Sequence, residues 1–108
     1  MIFNEYADTY NEALNSWGFD AQMDVTVEEL SELIKAFMKH RRRPCAEKAI
    51  DIAEEMADVM IMIDQMRIAM YQKYPEFDHW LSENATRKMR RVNAMLEEYH
   101  NNQPDSEN

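Results

Sequence analysis

The chain has 108 residues, a formal net charge of −9 at neutral pH, 45% hydrophobic residues, one glycine and three prolines. That length holds one domain with a modest core, and the acidic balance argues against a general nucleic-acid surface or an anionic-membrane surface, both of which want basic residues. The lone Cys45 makes no intramolecular disulfide, the N-terminus MIFNEYADTY lacks a basic-then-apolar leader, and the apolar run Val59 to Ile63 falls far short of the about 20 residues that span a bilayer. A soluble protein of a reducing compartment, the cytoplasm, is expected.

Scarce glycine and proline, ten methionines spread through segments of helical period and the absence of strand signals predict an all-α chain. In the first segment Phe3, Tyr6, Tyr10, Leu14 and Trp17 recur every three or four residues, and Gly18 falls where a left-handed cap would end the helix. Asp20 is the expected N-cap of the second helix, whose stripe is Met23, Val27, Leu30, Ile34, Phe37 and Met38. Lys39-His40-Arg41-Arg42-Arg43 close it at the end the helix dipole favours for cations, and Pro44 marks the break.

A third helix is predicted from about Cys45 to Tyr71 or beyond, with Ala49, Ile52, Ala53, Met56, Met60, Ile63, Met66 and Met70 as its stripe. Val59, Ile61 and Met62 point elsewhere, so its middle is apolar nearly all round and should touch more than one helix, which favours oligomerisation. After Pro75 a fourth helix, roughly Asp78 to Tyr99, presents Leu81, Ala85, Met89, Val92, Leu96 and Tyr99. Residues 1–99 are thus read as one helical domain, and 100–108 as a polar, disordered tail.

The segments VEELSEL (27–33) and AEEMADV (53–59) match position by position as apolar, acid, acid, apolar, small, acid, apolar. The short basic turn around Pro44 predicts that helices two and three pack as an antiparallel hairpin, so each contributes one acidic group. Residues three apart on a helix are neighbours, which makes claws of Glu29 with Glu32 and of Glu55 with Asp58. Four carboxylates brought together repel one another unless protons or a cation neutralise them. All-oxygen ligation suits Mg²⁺ or Mn²⁺; di-iron bundles use Glu-x-x-His, and no histidine stands three residues after either glutamate.

A plainer reading of the first motif is a capping box between Thr26 and Glu29, should helix two begin late. Asp58 resists so plain a reading, because a carboxylate flanked by the apolar Ala57 and Val59 would cost several kcal/mol to bury without a partner. His40, His79 and His100 show no zinc spacing, and a chain with one glycine cannot supply a phosphate-binding glycine loop.

Glu28-Glu29-x-x-Glu32 followed by Glu55-x-x-Asp58 on two helices of a small all-α chain resembles the MazG-like nucleoside triphosphate pyrophosphohydrolases, part of the all-α NTP pyrophosphatase superfamily. The likeness extends over roughly residues 14 to 95: WGFDAQMDVTVEELSELIKAFMKHRRR and IAEEMADVMIMIDQM look like that family's central hairpin, and ATRKMRRV like its last helix. The resemblance implies a four-helix MazG-like bundle completed as a homodimer or homotetramer. It implies Mg²⁺-dependent hydrolysis of a nucleoside triphosphate to the monophosphate and pyrophosphate. Glu29, Glu32, Glu55 and Asp58 would be the metal ligands, Glu32 also belonging to the catalytic set, while Glu28 and Glu54 are candidates for taking the proton or supporting the ligands. The chain departs from the family where a further acid often follows the aspartate: here stand Met60 and Met62, then Asp64, which leaves the number of metals open.

For substrate contacts, Gln22 lies two turns before Glu29 on nearly the same face, and Trp17 precedes it, so the pair either holds and stacks a base or Trp17 is a core anchor. Lys39, two turns after Glu32, either meets a phosphate or ends the helix in solvent. Lys88 and Arg91 resemble a basic pair the family uses on its last helix to meet phosphates; a solvated face is the other reading. Two alternatives stand beside the general triphosphatase: a dUTP/dCTP-type or phosphoribosyl-ATP pyrophosphatase of the same superfamily, and a non-enzymatic oligomeric helical interaction protein using its adaptable Met-rich stripe.

Overall fold

The computed structural model describes residues 4–104, and Phe3 of the predicted first stripe lies outside them. A 3-10 turn, Asn4–Tyr6, leads into α1 (Ala7–Trp17), followed by α2 (Phe19–Arg42), α3 (Ala46–Lys73) and α4 (Phe77–Asn101). The described residues contain no strand, and no helix among them is long and apolar enough to cross a membrane. The chain divides into two compact units, one ending at Pro75 and one beginning at Glu76.

Gly18 is the whole connection between α1 and α2. Its φ of 90° lies where a side chain is rarely tolerated, and this lets its N–H donate to Leu14 O at 2.9 Å while its carbonyl accepts from Gln22 N–H at 3.1 Å. Gly18 therefore ends one helix and caps the next; Asp20, the expected cap, sits inside the first turn, where its charge still favours the helix N-terminus. The capping box is likewise overturned. Because α2 runs unbroken from Phe19, Thr26 lies mid-helix and its hydroxyl donates to Gln22 O at 2.8 Å.

The turn after α2 follows the sequence closely: Arg43 is the C-cap, and Pro44 and Cys45 separate it from α3. Helices α2 and α3 return on one another as an antiparallel hairpin with a legible register. Gln65 on α3 donates its side-chain N–H to Gln22 Oε1 on α2; seven residues forward along α2 and seven back along α3, Glu29 faces Asp58, with carboxylate oxygens within 4.8 Å of each other. The seam between them is built from Gln22, Thr26, Glu29, Leu33 and Ala36 on α2 and from Glu55, Asp58, Met62, Gln65 and Ala69 on α3. Each set recurs every three or four residues, which is one helix face.

The predicted apolar stripes are not this seam. On α2, Val27 is 61% exposed and Ile34 62%, with Leu30, Phe37 and Met38 exposed as well. On α3, Ala49, Ala53, Met56 and Ile63 are exposed, and Met62, expected to point elsewhere, is buried. The hairpin turns its acidic and amide-bearing faces inward and leaves much of its greasiest residues outside. Helix α1 lies against both, burying Tyr10 and Leu14, and Asn11 Oδ1 accepts from Gln72 Nε2 on α3 at 2.8 Å. At the far end of α3, the Lys73 ammonium sits 4.5 Å over the Phe19 ring, a cation–π contact that ties it to the start of α2.

The second unit is one helix, α4, of which no described residue is buried. Along it run local side-chain bonds: Asn84 Nδ2 to Trp80 O at 2.7 Å, Arg87 to Asn84 Oδ1 at 2.6 Å, and a His79–Glu83 contact of 3.3 Å. It continues to Asn101, two residues past its predicted end, so the first positions assigned to the tail are helical; residues 105–108 lie outside the described ones.

Candidate functional site

The hairpin register brings the two acidic motifs face to face. Glu29 from α2 and Glu55 and Asp58 from α3 each offer a carboxylate oxygen, and these oxygens all lie within 4.8 Å of one another. Two of the three ligand positions come from one helix at a spacing of three, and the third crosses the seam. None of the three is buried, so a solvated cation can reach them.

Their electrostatics follow from that crowding. The Glu29 carboxyl is raised above its ordinary value of 4.5, by partial desolvation first, then by the charges of Asp58, Glu55 and Glu28 and its hydrogen bond with Asp58. Glu55 is raised too, again by desolvation, then by Asp58, Glu32, Glu54 and Asp51. Asp58 is the largest single charge acting on both. A site whose neighbouring charges make Glu29 and Glu55 harder to ionise is one that a divalent cation would relieve. The donor set is all oxygen, which fits Mg²⁺ or Mn²⁺.

The other expected site residues separate into three groups. Glu32, predicted as the fourth ligand, is close enough to raise Glu55 but is not part of the three-carboxylate group; its Oε1 is 3.3 Å from Lys35 Nζ, one turn along the same helix. Glu28 and Glu54 are exposed beside the cluster, on α2 and α3 respectively. Asp64, the only acid of α3 after Asp58, is 2% exposed and lies near Tyr10, whose phenol is pushed above 10.0 by burial and by the Asp64 charge.

Gln22 is buried in the seam with its side-chain oxygen taken by Gln65, so it closes the hairpin rather than facing solvent. Trp17 is 68% exposed at the last residue of α1, which removes the core-anchor reading and leaves a free ring. Lys39 is exposed near the end of α2, and Lys88 and Arg91 are exposed on α4 in the second unit. Gln65 escaped the sequence reading because a glutamine amid Ile63, Asp64 and Met66 carries no motif. The hairpin register itself was the available signal, since it sets position 65 opposite position 22.

Comparison of the chain with protein-family models, with curated proteins and with solved structures finds no match in any of the three.

Proposed function

We propose that the protein is a divalent-cation-dependent hydrolase of nucleoside triphosphates, releasing the monophosphate and pyrophosphate, and that it works as a homodimer or homotetramer. The observation that carries this reading is the convergence of Glu29, Glu55 and Asp58 across the α2–α3 seam, with ligand oxygens within 4.8 Å of each other. The resemblance of the two motifs to the MazG-like enzymes supplies the substrate class.

Glu29, Glu55 and Asp58 would hold the ion, with Glu32 joining them once it leaves Lys35. A bound Mg²⁺ supplies neutralisation of phosphate oxygens and a more acidic water. The chain's own residues do the rest. Glu28, exposed and adjacent in sequence to Glu29, would accept the proton of the attacking water. Trp17 offers a free aromatic face for a base, and Lys39 offers a cation for the phosphates.

Incubation of the purified protein with Mg²⁺ and a panel of ribo- and deoxyribonucleoside triphosphates, with dUTP, dCTP and phosphoribosyl-ATP among them, tests the reading. Pyrophosphate release from at least one is expected, and the preferred substrate separates the members of the superfamily. No release from any, under conditions where Mg²⁺ demonstrably binds, overturns it.

The exposed apolar stripe of α2 favours a second reading, a non-enzymatic helical interaction protein. Thermal stability separates the two, because a ligand that binds only the native state must raise it. Mg²⁺ stabilising the parent but not Asp58→Asn supports the metal site, and no Mg²⁺ effect on either supports the interaction protein.

A further inference from the structure

Where the start of α1 meets the middle of α3, Tyr6, Thr9, Tyr10 and Ile61 line a cleft of about 340 Å³, inside the range of about 300–1,000 Å³ that small-molecule sites occupy. Tyr10 is held almost wholly buried, while Tyr6 keeps half of its surface open. The cleft lies beside the carboxylate cluster. Ile61 follows Asp58 by three residues on α3, which sets their β-carbons about 5–6 Å apart and turns them about 60° from one another round the helix. Trp17, the other open aromatic ring of α1, lies the opposite way. It stands seven residues beyond Tyr10, at the end of α1 where Leu14 and Phe19 share a hollow with Ala69 and Lys73. Ala69 is already 11 residues past Asp58, about 16 Å along α3.

We propose that this cleft is the seat of the nucleobase: with the triphosphate on an ion held by Glu29, Glu55 and Asp58, the base lies between Ile61 and the ring of Tyr6. The proposal rests on the nucleotide reading of the cluster and adds to it a surface for the uncharged end of the substrate. A nucleotide is charged at one end and flat and aromatic at the other, and the two neighbouring sites divide those ends between them. Acidic oxygens hold the phosphates through the cation, and an aromatic wall takes the π-face that every base presents. The hydroxyls of Tyr6 and Thr9 are the groups of the cleft that can hydrogen-bond a base edge. Burial of Tyr10 and the Gln72–Asn11 hydrogen bond at 2.8 Å fix α1 against α3, so the cleft is formed before substrate arrives and little ordering is needed to fill it.

Steady-state kinetics of the full chain with Mg²⁺ and its preferred nucleoside triphosphate test this, beside calorimetric binding of inorganic tripolyphosphate, which carries the phosphates and no base. Tyr6→Ala is expected to raise KM about tenfold or more, with kcat within about threefold of the parent and tripolyphosphate affinity unchanged. Tyr6→Phe keeps the ring and should hold KM within about threefold of the parent. Tripolyphosphate binding that weakens by the same factor as the nucleotide would make Tyr6 a support of the fold and overturn the seat. A rise in KM below about threefold in Tyr6→Ala also overturns it, while turnover by the parent keeps the hydrolase reading; loss of self-association in that variant would then give the cleft to a second copy of the chain. A parent that binds Mg²⁺ and releases pyrophosphate from no triphosphate overturns the seat and the hydrolase reading together.

Discussion

The two ends of the α2–α3 seam share one register but carry different chemistry. At one end Gln22 and Gln65 meet as neutral amides, buried, with a donor of one satisfying an acceptor of the other. Seven residues away Glu29 meets Asp58, and there the seam stays open to solvent. An amide pair brings its own donor and acceptor and can be enclosed; ionised carboxylates are acceptors only, so they need a proton, a cation or water. One hairpin thus has a closed structural end and an open end fit for chemistry.

The largest way to break that contrast is Asp58→Asn, which removes the charge acting most strongly on both glutamates. Pyrophosphate release, measured at saturating Mg²⁺, is expected to fall about a hundredfold or more. The metal-free variant should melt higher than the metal-free parent, because the same change relieves repulsion. Loss of activity without that gain would make Asp58 a fold residue instead.

At the closed end, Gln65→Leu leaves the Gln22 amide buried without its partner. Chemical denaturation should show a loss of about 1–3 kcal/mol, and the double change Gln22→Leu with Gln65→Leu should recover much of it. Recovery would establish that the pair satisfies itself and contributes little net stability.

The pH response sharpens the same comparison. Glu29 and Glu55 titrate above their ordinary value of 4.5 in the folded, metal-free chain, so the native state binds protons more tightly than the unfolded one. The stability this contributes is fully present below the unfolded value and is lost as pH rises through the raised folded values. Metal-free protein should therefore melt higher as pH falls from neutrality toward the carboxylate range, while Mg²⁺ binding weakens over the same window as protons compete. Asp58→Asn should flatten both trends.

The smallest expected effect is at Trp17. With its ring mostly in solvent, Trp17→Ala should change stability by no more than about 0.5 kcal/mol. A rise in KM with kcat unchanged would assign the ring to base binding, and no kinetic change would remove it from the site.

Much of the fold was legible before any coordinates. Gly18, Pro44 and Pro75 punctuate a chain with few other breakers, and the helices end within a few residues of where these predict. The pairing of VEELSEL with AEEMADV was legible as well, since a short turn forces neighbouring helices to run antiparallel and equal motifs then meet. Glu32 was less predictable, because whether a carboxylate joins a cluster or turns to Lys35 is a rotamer choice that spacing does not fix. Gln22 was misread for a related reason: two turns from Glu29 puts it on the cluster's face, but its distance along the hairpin puts it where the seam closes.

The sequence by itself determined which segments are helical, where they stop, and that Glu29, Glu55 and Asp58 share one face of a hairpin; these follow from local backbone preference and helical period. Only the tertiary structure decided which face of each helix is inside. Hydrophobic periodicity says that Val27, Ile34 and Phe37 form a stripe, yet a stripe is buried only if something covers it, and within one chain α3 and α1 cover the Gln22–Thr26–Ala36 face instead. The amphipathic pattern records the need for a partner, and contact geometry determines where that partner can be.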